Sequence, residues 1–173
     1  MPADPFDREL NAIFKGCAQD LTGGLERARL RAETLQAEDM SRLAFTLTET
    51  IDHAVGLAIE KAVAAYDEAL HRPMVSNRQW ETAIQERVAE AVAAGVAQAL
   101  TLDSLSHPWK PLLKEEGPKL RARLAARADE GFVHVRVHSA PRRRRRAVRR
   151  EWTLRISLLV VGLLLGAMLR ALF

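Results

Sequence analysis

The sequence predicts an all-α protein: an elongated helical hairpin, a coiled-coil-like body, and a single C-terminal transmembrane helix. Three observations predict this. Apolar residues recur at steps of three and four through most of residues 6–99. Between Gly24 and Pro73 there is no proline and only one glycine inside the run, Gly56. Near the C-terminus, residues 156–169 are fourteen in a row without a charge. The 173 residues suffice for one ordinary domain plus an appendage. A composition of 48% hydrophobic and 28% charged residues excludes a mostly disordered chain and a multi-span membrane protein. The single cysteine excludes a disulfide framework and a cysteine-based zinc site.

The first element begins at Asp4-Pro5, with Asp as cap and Pro in the first turn. Phe6, Leu10, Ile13, Phe14, Cys17 and Leu21 then form one apolar stripe, which Gly23-Gly24 is expected to end. Cys17 lies on that stripe and reads as a buried small hydrophobe, not a nucleophile.

Residues 25–72 read as the next helix. Two readings stay open: one continuous helix of 48 residues, about 72 Å long, or two helices divided by a break at residues 38–41, with Asp39 capping a new start. Its stripe is Met40, Ala44, Leu47, Ile51, Val55, Ala58, Ala62, Tyr66 and Ala69. The steps sit closer to an eleven-residue than a seven-residue repeat, and the alanines imply close helix packing. Pro73 stops the pattern, and Ser76 with Gln79 forms a capping box for the third element. There Trp80, Ile84, Val88, Ala91, Gly95 and Ala99 face one way. The second and third elements are expected to form the hairpin. With so little bulk on their faces, self-association is the expected route to a larger core. Residues 1–103 are thus a helical interaction domain.

Residues 104–140 read as a linker. Pro108, Pro111 and Pro118 surround Trp109. Pro118 is expected to start a short helix to Glu130, with Leu120 and Leu124 inward and Gly131 ending it. Residues 132–138 alternate, Val133, Val135 and Val137 against His134, Arg136 and His138, which predicts the chain's one strand, either extended and undocked or paired with another chain.

Charge is segregated. Residues 1–140 carry 17 basic and 21 acidic side chains, a net of −4, whereas residues 141–155 carry a net of +7. The basic segment (residues 141–151) holds Arg142, Arg143, Arg144, Arg145, Arg146, Arg149 and Arg150. Residues 152–173 follow as the membrane anchor, twenty-two residues with only Arg155 and Arg170 charged, both near the ends, where their stems reach the headgroups. That length covers about 33 Å as a helix, against a hydrocarbon core of about 30 Å. Twelve Leu, Ile, Val and Phe side chains between 154 and 173 favour insertion by about 4–7 kcal/mol. Two terminal arginines cost less than the roughly 2.5–3.5 kcal/mol each would cost at mid-bilayer. Trp152 suits the interface, and Gly162 with Gly166 makes a GxxxG face on which a second helix backbone can pack.

Positive flanks stay cytoplasmic, so residues 1–151 are expected on the cytoplasmic side of a single-pass, tail-anchored protein. Arg outnumbers Lys 21 to 5 and alanine is abundant, a bias typical of GC-rich bacterial genomes, so with the anchor the expected location is a bacterial inner membrane. The N-terminus shows no secretory signal pattern.

Sites of chemistry are scarce. No phosphate-binding glycine loop, zinc-protease pair or nucleophile elbow occurs. Glu68 and His71 have di-iron spacing but no second pair, and His71 stands at a helix end, where the dipole accounts for it. His134 and His138, on a strand, would lie about 13 Å apart and could not share an ion; with Arg136 they read as a solvated face. His53 also reads as solvated. No catalytic, cofactor or metal residue is assigned. The expected function is a non-enzymatic adaptor, self-associating and holding an unidentified protein partner at a bilayer with anionic lipids. The contact residues are Arg142–Arg146, Arg149, Arg150, Trp152, Arg155 and Arg170, with Gly162 and Gly166 for helix association. The alternative is a membrane-tethered nucleic-acid-binding accessory protein, for example in DNA transfer, whose arginine run neutralises phosphates.

Overall fold

The structure, a computed structural model, describes residues 5–32, 40–70, 77–102 and 110–138, together with Trp152 and Ser157. Among these the chain is helical, with no strand. Helix α1 spans Pro5–Ala32, α2 Met40–Ala69 and α3 Asn77–Leu100; α4 spans residues 110–138. Of the two readings left open for residues 25–72, the start of α2 at Met40 agrees with a break, and the third helix after Pro73 falls where the sequence places it. Two compact units divide the chain, Met1–Val133 and His134–Phe173.

The first unit is an up-down-up-down bundle, not a hairpin. Contacts between Gly24 and Thr50 and between Cys17 and Ala54 run α1 antiparallel to α2. Gly95 against Ile51 and Tyr66 against Glu81 do the same for α2 and α3. Gly117 against Val96 and Asp129 against Gln85 set α4 antiparallel to α3. Arg87–Asn11 and Gln98–Thr22 bridge the parallel pair α1 and α3. Arg123–Asp52 and Arg127–Glu60 bridge the parallel pair α2 and α4.

The core follows the sequence stripes. On α2, Leu47, Ile51, Val55, Ala62 and Tyr66 are fully buried, and Leu43, Ala54, Ile59 and Ala65 add a second buried row. Two buried rows make α2 the helix that the others pack around. The apolar stripes expected to seek a second copy therefore bury against one another within one chain. Buried aliphatic side chains run the length of the bundle, while its buried aromatic rings are concentrated at one end. There Phe6 of α1 stacks on Trp80 of α3 at 4.2 Å, Trp80 meets Tyr66 of α2 edge-on at 6.1 Å, and Tyr66 meets Phe132 of α4 edge-on at 5.5 Å. Four rings, one from each helix, thus close that end. Such pairs contribute roughly 0.5–1.5 kcal/mol each beyond their burial. The Tyr66 hydroxyl donates to Glu81 Oε1 at 2.7 Å, so the buried ring keeps a partner for its polar atom.

Four sequence expectations are corrected. The first concerns Gly23-Gly24, which do not end α1; the helix runs through both to Ala32. A Cβ on Gly24 would lie 2.6 Å from Thr50 Cγ2, so this glycine serves close approach of α1 to α2, not termination. Consequently the stretch beginning at Leu25 belongs to α1. In the second correction, residues 110–138 are not a linker with a short helix. They form one helix, whose part up to Val133 belongs to the bundle. Pro111 is the second of its described residues. Pro118 is interior and deprives one carbonyl of its donor, but it lies on the exposed side, where water can reach that carbonyl.

Third, Gly131 does not cap that helix; its missing Cβ leaves room for Val63, whose Cγ2 would lie 2.9 Å from it. Fourth, residues 132–138 are helix, not strand. The buried positions Leu113, Leu120, Leu124, Ala128 and Phe132 advance at helical steps, and the valines of the supposed strand face separate. Val135 is 7% exposed, whereas Val133 and Val137 are 52% and 62% exposed. Valine loses only a little stability in a helix, and burial of the continuing stripe overrides its β preference.

Candidate functional site

Of the residues expected to contact the membrane surface, only Trp152 is described: it is helical and 61% exposed. Arg142–Arg146, Arg149, Arg150, Arg155, Gly162, Gly166 and Arg170 lie outside the described residues, as do His71 and the remainder of the anchor apart from Ser157. Among the described residues no helix is long and apolar enough to cross a membrane.

Within the bundle, two open clefts flank the outer ridge of α2. One, about 540 Å³, lies between α1 and α2; Asp20, Arg27 and Arg31 face Thr46, Glu49, Thr50 and His53 across it. Its two threonines are engaged locally. Thr46 Oγ1 donates to the Arg42 carbonyl at 2.9 Å and Thr50 Oγ1 to the Thr46 carbonyl at 2.8 Å. The other, about 500 Å³, lies between α2 and α4 and is lined by Glu49, Asp52, His53, Leu57, Glu60 and Arg127. Here two of the three carboxylates pair with cations of α4: Arg123 with Asp52 at 3.0 Å and Arg127 with Glu60 at 2.7 Å. Such exposed pairs are worth at most about 1 kcal/mol, so they set the register of α4 on α2 more than its stability. His53 stands on the ridge between the clefts, exposed as the sequence predicts.

Cys17 is buried, and its thiol donates weakly to the Ala54 carbonyl at 3.6 Å. Burial, reinforced by the negative charge of Asp20 and partly offset by Lys61, pushes the thiol up to about 11. A protonated, enclosed thiol is a packing group, which agrees with its place on the stripe.

The one cluster that sequence reasoning misjudged is on α4. Helix, not strand, puts His134 and His138 one turn apart on the same face, with ring centroids 4.2 Å apart and planes inclined by 48°. The separation of about 13 Å expected of a strand is thereby overturned. Arg136, expected beside them, is two residues away from each and so points to a different side of the helix. Both rings are exposed. The signal that would have found the pair was the stripe itself: extending Leu120 and Leu124 by two further steps of four reaches Phe132 and carries the helix into the histidines. Among the described residues no three His, Cys, Asp or Glu side chains converge as a ready metal set.

Compared with protein-family models, curated proteins and solved structures, the chain matches none.

Proposed function

We propose that this protein is a membrane-anchored helical interaction module, non-enzymatic, held at the cytoplasmic face of a bacterial inner membrane by residues 152–173. The observation that carries the reading is the juxtaposition of seven arginines in residues 142–150 with twenty-two residues containing only two charges. An abrupt change from +7 to apolar orients and inserts a helix, and the same arginines attract anionic lipid by about 1 kcal/mol per charge near the surface. The bundle supplies the displayed surface. Because its apolar stripes are spent internally, self-association is assigned to Gly162 and Gly166 in the anchor, and binding of a protein partner to the charged outer faces of the helices.

The experiment is membrane extraction combined with topology mapping. Full-length protein stays in the pellet after alkaline washing, and a chain ending at Glu151 is released. Replacing Arg142–Arg146, Arg149 and Arg150 by Gln makes an N-terminal tag partly accessible from the far side or abolishes insertion. Release of the full-length chain by alkali overturns the anchor. Unchanged topology in the Gln variant, with salt-dependent DNA binding lost, favours the nucleic-acid reading instead.

A further inference from the structure

His134 and His138 meet the first requirement of a chelating pair: two imidazoles, four residues apart on one helix face, with ring centroids 4.2 Å apart. We propose that they form a surface site for a late first-row divalent cation such as Cu2+ or Zn2+, with both imidazoles as ligands and the remaining positions open.

The spacing of the rings suits a shared ion. A cation held at about 2.0–2.1 Å from one nitrogen of each ring, with a bond angle between square-planar and tetrahedral, sets the ring centres about 4.5–5 Å apart. The rings therefore need to part by less than about 1 Å, within reach of exposed side chains rotating about χ1 and χ2. Both rings are exposed, so an ion reaches them without opening the fold. The backbone holds them in register, so the second imidazole binds as an intramolecular ligand. That chelate advantage separates this pair from His53, His71 and His107, none of which has another histidine three or four residues away in the sequence. Imidazole nitrogen favours Cu2+ over Zn2+ and Ni2+ by the usual order of stabilities, and disfavours Mg2+ and Ca2+, which prefer oxygen. With two protein ligands, two or more positions are left for water or for a donor from another molecule.

The test is Cu2+ titration of the untagged full-length protein in detergent micelles, read by electron paramagnetic resonance. Expected is one tight Cu2+ per chain with hyperfine structure from two imidazole nitrogens. His134→Gln and His138→Gln each weaken binding by roughly 10²-fold and reduce the count to one nitrogen. A variant with His53, His71 and His107 all changed to Gln retains both the affinity and the two-nitrogen signal. Far-UV circular dichroism verifies that each variant keeps its helix content. The proposal is overturned if either single variant binds Cu2+ as the parent does, or if the triple variant loses the two-nitrogen signal.

Discussion

Gly16 and Gly24 sit in the same helix, yet alanine should act oppositely at the two positions. Replacing an interior helical glycine with alanine gains about 1 kcal/mol of backbone propensity, if the methyl fits. At Gly16 nothing lies within 4 Å of the added Cβ, so Gly16→Ala should stabilise by that amount. At Gly24 the new atom lands 2.6 Å from Thr50 Cγ2, about 1 Å inside ordinary carbon contact. Thr50 cannot simply swing away, because its hydroxyl donates to the Thr46 carbonyl at 2.8 Å and turning it forfeits about 1 kcal/mol. Moving α1 off α2 instead loses packing along both helices. Overpacking of this kind costs about 1–3 kcal/mol, which outweighs the propensity gain and leaves Gly24→Ala about 1 kcal/mol less stable than the parent. The two variants should therefore differ by about 2 kcal/mol. In a unit of this size that is roughly 6–10 °C in melting temperature, read by far-UV circular dichroism. If Gly24→Ala melts at or above Gly16→Ala, α1 and α2 do not approach as closely as described.

Two further outcomes follow from the core. Because burial raises the Cys17 thiol from 9.0 to about 11, the folded state keeps a proton that the unfolded chain gives up in that range. Its contribution is complete below pH 9 and falls by roughly 2–3 kcal/mol as the pH climbs to about 11; denaturant unfolding of the parent should show this loss relative to Cys17→Ala, and parallel pH curves would contradict it. Phe132→Ala should cost about 3–4 kcal/mol in the same assay, since its ring is buried edge-on against Tyr66. Little or no loss would return residues 132–138 to an undocked segment.

The helical class and the main buried row of α2 were legible in the sequence, because burial there follows the 3.6-residue period, whereas the flanking row of Leu43, Ala54, Ile59 and Ala65 was not. On α1, Phe6, Leu10, Cys17 and Leu21 were legible for the same reason. Glycine was not. Gly24 and Gly131 read as stops because the sequence displays their conformational freedom and hides the neighbour that needs their missing side chain, Thr50 in one case and Val63 in the other. The valines of residues 133–137 misled because a period of two and a helical stripe overlap over so short a window. Only the longer run from Leu113 to Phe132 separates them. The candidate histidine site was lost with that choice, since the same two residues lie about 13 Å apart on a strand and one turn apart on a helix.

The ring chain at one end gives the bundle a direction of opening. Phe6, Trp80, Tyr66 and Phe132 tie all four helices where α1 and α3 begin and α2 ends. Toward the other end the buried side chains are aliphatic, among them Leu25, Leu47, Ile51 and Leu113, and they lack the added attraction of ring pairs. Thermal breathing should therefore resemble a clothes-peg, pivoting on the rings and spreading at the end of α1 and the start of α2. Amide hydrogens beyond Gly24 and before Ile51 should exchange sooner than those beside Tyr66. The cleft between Arg27, Arg31 and Glu49 lies on the spreading side, so its width is a fluctuating quantity, and any molecule that enters it acts as a wedge or a clasp on the whole bundle.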